Sequence, residues 1–173
     1  MAEGSLNLRR EAHDPLGVWL ERVSFVFAVA AGLILIAMAL MSVYSILGRW
    51  LFSSPLLGDY EMVQMMSAMA VSLTLPYTQW ARGHVIVDFF TVKATDNVKR
   101  VLDISAYTLM ALLSGVLTWR LAVGLQDYLG NFDASMMLGL PTWWGYVPIV
   151  PSFALLTLVS VYSIYEIIKG YDL

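Results

Sequence analysis

The chain has 173 residues, of which 59% are hydrophobic and 13% charged, with a formal net charge of −3. Soluble domains average roughly 45–50% apolar and about 25% charged residues, so this composition excludes an ordinary soluble domain and points to an integral membrane protein. The absence of cysteine excludes disulfides, thiolate metal sites, iron–sulfur ligation and thiol catalysis, and two histidines, His13 and His84, make neither a bis-histidine haem pair nor a zinc cluster.

The polar segment before the first apolar run reaches Arg22 and carries Glu11, Asp14 and Glu21, where a cleaved signal would be short and basic. This predicts a retained first transmembrane helix. Asp14-Pro15 reads as a helix cap followed by proline at the first position. Leu16, Trp19, Leu20 and Val23 then recur at helical spacing, which predicts an amphipathic helix lying on the membrane surface before the first span. Residues 23–48 form an uncharged run, longer than the roughly 20 apolar residues a hydrocarbon core requires.

The second predicted span covers 62–81 and is closed by Arg82. After it, Val85 to Val92 is apolar but too short to cross, and places His84 and Asp88 one helical turn apart; a short interfacial segment is expected there. The third span, 97–126, is built around the uncharged stretch Ile104 to Trp119, whose flanking Asp103 and Arg120 can snorkel outward. The fourth is expected over 148–168, beginning at Pro148 because proline is tolerated in a first turn. The fold class is therefore all-α, a single four-helix membrane domain over 1–173 with both termini on one side.

Orientation follows from the basic residues. Eight of the ten, Arg9, Arg10, Arg22, Arg82, Lys93, Lys99, Arg100 and Lys169, fall on the side of the termini, and only Arg49 and Arg120 lie opposite. The positive-inside rule then predicts cytoplasmic termini.

Every ionisable residue falls near a predicted span end, and Pro76 is the one helix-breaking signal at the inner end of the second span. That argues against autonomous coupled transport, which normally needs buried charge or broken helices at mid-depth. The carboxylates and His84 also offer no nucleophile-and-base pair, so no catalytic residues are assigned. Ala28 and Gly32, with the small residues Ser67, Ala68, Ala70, Ser72 and Thr74, suit close helix packing, and Gln64 could bond across helices. Arg49 and Glu61 flank the first outer connection and are expected to meet there. Arg82, His84 and Asp88 are expected to form a hydrogen-bonded cytoplasmic turn after Gly83.

Four motifs, in order, carry a family resemblance: Gly48-Arg49-Trp50, Gly58-Asp59-Tyr60-Glu61, Arg82-Gly83-His84-Val85-Ile86-Val87-Asp88 and Leu140-Pro141-Thr142-Trp143-Trp144. With these, and with four spans between them, the sequence resembles the DctQ-type small permease subunit of TRAP (tripartite ATP-independent periplasmic) transporters. Tyr60 departs from the family pattern, in which many members carry a second acid at that place. The resemblance implies an accessory subunit of a bacterial inner-membrane secondary transporter, a sodium symporter importing an organic acid. It implies a large permease subunit holding the substrate and sodium sites, and a periplasmic solute-binding protein that delivers the solute. The small subunit would brace the large subunit's static scaffold and help to dock the binding protein. No cofactor is expected in this chain, and its partners would be those two proteins and membrane lipid, not nucleic acid. Arg49, Glu61, Arg82, His84, Asp88, Trp143 and Trp144 are the structural or partner-contact candidates. Two other readings are a self-contained homodimeric exporter and a membrane anchor or assembly subunit of another complex.

Overall fold

The computed structural model describes residues 14–53, 56–81, 96–131, 134–135 and 137–169. These residues form four helices: α1 (Pro15–Phe52), α2 (Asp59–Trp80), α3 (Asp96–Asn131) and α4 (Trp143–Lys169). The all-α membrane class expected from the sequence is what the chain adopts. By length and composition α1, α3 and α4 can each cross a membrane, whereas α2 is less apolar and does not qualify by that measure. Its 22 residues nevertheless extend ~33 Å at 1.5 Å per residue. The polarity of α2 is largely neutralised within the helix. The Ser67 and Thr78 hydroxyls donate to the carbonyls four residues back at 2.6 and 3.0 Å, and Ser72 and Thr74 donate three residues back at 2.9 and 2.7 Å.

Two boundaries differ from expectation. The segment read as a separate surface helix is the first part of α1, which runs unbroken from Pro15. Its apolar stripe is split, with Leu20 buried in the core and Leu16 and Trp19 exposed. No proline or turn sequence separates it from the span, so the helix simply propagates. At 38 residues α1 extends ~57 Å, well beyond a hydrocarbon core of about 30 Å.

The second difference is that α4 starts at Trp143, five residues before Pro148. The Trp144 N–H donates to the Pro141 carbonyl (3.1 Å) and the Gly145 N–H to that of Thr142 (3.2 Å), which winds the chain into the helix early. Pro148 and Pro151 lie inside α4 and each removes one backbone donor. The acceptors left over are the carbonyls of Trp144 and Val147, both exposed residues near the helix start, where polar surroundings can solvate them. The expected interfacial segment at Val85 to Val92 lies outside the described residues.

The helices pack in the spatial order α1, α2, α4, α3, with α1 and α4 meeting only marginally. This is an open row, and α4 is its most enclosed member. Leu20, Trp80, Leu155, Val159 and Tyr162 form the buried core, with Val23 and Phe27 packed against it. Trp80 stacks on Tyr162 at 5.9 Å between ring centroids.

Between α2 and α4 the contact depends on small residues, including Ala70, Ser72 and Ser152, all at most 4% exposed. Pro76 sits inside α2 and cannot donate to the carbonyl of Ser72, four residues back. The Ser152 hydroxyl of α4 donates to that same carbonyl. A helix defect is thus repaired by the neighbouring helix, as a low-dielectric setting demands. Between α3 and α4 the Thr157 hydroxyl donates to Ser114 Oγ at 2.9 Å, and Ser114 donates to the Met110 carbonyl at 2.7 Å.

Candidate functional site: the platform at the loop end

The connections α1–α2 and α3–α4 meet at one end of the row, where Asp59 and Glu61 bond outside their own helix; at the other end Arg100 of α3 donates to the Ile167 and Ile168 carbonyls of α4 at 2.7 and 2.9 Å. α1 closes at Ser53, whose φ of 53° is left-handed and whose N–H bonds to the Gly48 carbonyl. α2 opens at Gly58, with φ 73°. A Cβ there would lie 2.4 Å from Leu138 Cγ, so glycine is needed both for the backbone conformation and for the approach of the α3–α4 connection.

Asp59 and Glu61 follow in the first turn of α2, where carboxylates complement the helix dipole. Two residues apart on a helix of 3.6 residues per turn, they point about 200° apart. They therefore serve different neighbours. Asp59 turns to α1: the Ser45 hydroxyl donates to its Oδ2 at 2.6 Å, and Arg49 Nη2 lies 3.6 Å from the same oxygen. The Tyr60 N–H donates to its Oδ1 at 2.8 Å. Glu61 turns to the α3–α4 connection and accepts from the Met137 N–H, 3.1 Å from Oε1, and from the Leu138 N–H, 3.3 Å from Oε2.

That connection is itself tightly folded. Ala134 and Pro141 form an isolated antiparallel bridge, and the Ser135 N–H donates to the Leu140 carbonyl at 2.8 Å. Gly139, at φ 63°, returns its N–H to the Ser135 carbonyl at 3.1 Å. Two successive N–H groups aimed at one carboxylate make a small anion cradle filled by the protein's own Glu61. Trp143 and Trp144 follow at the start of α4 in an edge-to-face arrangement, 6.1 Å apart. Trp50, Phe52, Leu57, Tyr60 and Met137, each more than 70% exposed, add an apolar and aromatic rim.

The expected Arg49–Glu61 pair is therefore corrected: the ion pair at this boundary is Arg49–Asp59, and Glu61 is engaged by backbone N–H groups of the α3–α4 connection. Sequence reasoning missed Asp59, although the spacing held the clue. Two carboxylates about 200° apart cannot both face α1. It also missed Glu166, a carboxylate 5% exposed near the end of α4. Arg82, His84 and Asp88 lie outside the described residues. Among the described residues no group of three His, Asp or Glu side chains is placed to hold a metal ion.

The Ser45 hydroxyl bond holds the Asp59 carboxyl below the usual carboxylate range, against partial desolvation, with the Tyr60 N–H and Arg49 adding to the lowering. A depressed folded-state pKa contributes stability that is present above the unfolded value and lost as pH falls through the folded one. This contact is thus complete at neutral pH and loosens only under acid conditions. The Arg49 side chain is 65% exposed, so solvent screens its charge and it adds little. In a double-mutant cycle read by thermal unfolding of the detergent-solubilised chain, Arg49→Ala and Asp59→Ala should show weak positive coupling. Arg49→Ala and Glu61→Ala should be additive; marked coupling of that second pair would contradict the geometry.

This arrangement can clamp helices together and present a rigid rim. A family model described as "Tripartite ATP-independent periplasmic transporters, DctQ component" matches residues 38–170, well over half of the chain. No curated protein matches the chain at a significant level.

Proposed function

The chain belongs to the DctQ family, the small membrane subunit of tripartite ATP-independent periplasmic transporters, and from that premise we propose that it is a non-enzymatic brace. In this reading it packs on the static scaffold of the large permease subunit, and its platform faces the periplasm and helps to seat the solute-binding protein. The transporter is a sodium-coupled importer of an organic acid in the bacterial inner membrane, with sodium and solute bound by the large subunit and no cofactor in this chain. All four helices cross, α2 included, and both termini are cytoplasmic.

One observation carries the reading. The middle turns of all four described helices contain no Asp, Glu, Lys, Arg or His, while charged contacts join helix to helix near the helix ends: Arg49–Asp59 and Glu61 at the loop end, and Arg100 of α3 with the last carbonyls of α4 at the other. Coupling a cation to a solute normally needs ionisable groups or broken helices at mid-depth. Bracing needs rigid helices and a fixed rim.

Co-expression with the large permease subunit tests the proposal: the tagged chain should draw down the large subunit in a defined stoichiometric complex. A stable homodimer that leaves the large subunit behind would favour the self-contained exporter instead. Topology has its own measurement. A periplasm-active reporter fused at residue 130 should be active, and a cytoplasm-active one at the same position silent. The reverse pattern would invert the orientation.

A further inference from the structure

The row has two open edges, α1 and α3, because α2 and α4 lie between them. Along residues 23–48, α1 turns Leu33, Ile36 and Leu40 outward and carries no charge, a surface that lipid solvates unaided. The α3 edge differs by one residue, Arg120.

The depth of Arg120 follows from the packing. A Cβ on Gly124 would lie 3.5 Å from Tyr146, and one on Gly115 would lie 3.8 Å from Thr157. Arg120, between those glycines, therefore stands level with Val150 and its neighbours on α4. The bond from Ser152 to the Ser72 carbonyl carries that level across to α2. Arg120 thus lies beyond the middle turns of α3 itself, yet roughly nine residues inward of Glu61, ~13 Å at 1.5 Å per residue. The span end expected for Arg120 from the sequence is corrected by this offset between the helices.

The Arg120 side chain is exposed and makes no hydrogen bond or ion pair with any described residue. Inward of it the same helix face is apolar, with Leu113, Val116 and Leu117 exposed by 54, 61 and 45%. Outward it borders a cavity of about 410 Å³ shared with Asp127 and with Tyr128 and Tyr146, whose rings lie 5.0 Å apart. Asp127 is two turns further out, ~10 Å along the helix, close to the level of Glu61. An arginine inside the hydrocarbon is costly, and such residues are almost always paired. A lone arginine binds no sodium, but its planar fork of donors matches a carboxylate. A lipid phosphate stays at the headgroup level, outside the hydrocarbon.

We propose that the open face of α3 is the surface that meets the large permease subunit, and that a carboxylate side chain of that subunit enters the cavity to pair with Arg120. Leu113, Val116 and Leu117 then pack on an apolar helix of the partner, while α1 keeps its contact with lipid. The inference rests on the bracing reading and names its contact edge.

The test is photocrosslinking in the co-expressed pair, with p-benzoylphenylalanine placed singly at Leu117 on α3 or at Ile36 on α1, both exposed. Leu117 should give an adduct with the large subunit, and Ile36 should give none. Arg120→Gln should lower the amount of large subunit drawn down by about tenfold, as for loss of one member of a buried charge pair, and Arg120→Lys should keep part of it. Thermal unfolding of the isolated Arg120→Gln chain should match that of the native chain, since Arg120 bonds to no described residue. Early unfolding of that variant would assign the arginine to this chain's own packing and overturn the contact. An adduct from Ile36 with none from Leu117, an adduct from Leu117 with phospholipid alone, or full drawdown by Arg120→Gln would overturn it too, and leave the brace intact. If the native chain draws down no large subunit, the bracing role itself fails and this contact falls with it.

Discussion

Reconstituted by itself in sodium-loaded or sodium-free liposomes, the chain is expected to move no organic acid, and uptake should appear only when the large permease subunit and the solute-binding protein are added. The effect is all-or-none because the middle turns of the described helices lack any ionisable side chain that could bind a cation or a carboxylate. Their polar groups include hydroxyls, such as those of Ser67, Ser114 and Ser160, that donate to carbonyls of their own helix. Sodium-driven accumulation of a radiolabelled organic acid by this subunit without partners would refute the accessory role. If the chain is the brace proposed above, omitting the small subunit from the complete system should abolish uptake as well.

Ser152→Ala should produce the largest loss of stability among single substitutions that remove only one oxygen. Pro76 removes the donor that would normally satisfy the Ser72 carbonyl, and the Ser152 hydroxyl supplies the replacement from α4. Ser152 is fully buried and Ser72 is 4% exposed, so without that hydroxyl the carbonyl has no access to water. An unsatisfied buried group of this kind costs about 1–3 kcal/mol. A double-mutant cycle with Pro76→Ala separates the serine's hydrogen bond from its packing. Alanine restores a backbone N–H at position 76, so Ser152→Ala in that background should cost far less than in the native chain. Equal losses in both backgrounds, measured by thermal unfolding in one detergent, would show that the serine matters for packing and not for the orphaned carbonyl. Ser152→Leu should be worse than either, because a buried small-residue contact between α2 and α4 has no room for a larger side chain.

Class, helix count and helix order could be read from the sequence because their causes are local. Long apolar runs, the start signal at Asp14-Pro15 and the single glycine, Gly58, ahead of Asp59 each act within a few residues. The family resemblance was legible for the same reason, since its motifs sit at helix ends. What tertiary structure decided was the choice of partners. Hydropathy gives the length of a helix but not the direction in which each residue faces, so it could not tell that Asp59 meets Arg49 while Glu61 meets the connection 76 residues further on. Nor could it reveal that the proline in α2 is compensated by a serine 80 residues away from the carbonyl it serves. Proline also misled at Pro148. Its lost hydrogen bond is cheap near an exposed helix start, and the turn at Pro141 and Thr142 had already set the helix going. The row order α1, α2, α4, α3 belongs to the same category. Four apolar helices of similar length can be arranged in many ways, and the order depends on which small and hydroxyl-bearing faces complement one another across distant parts of the chain.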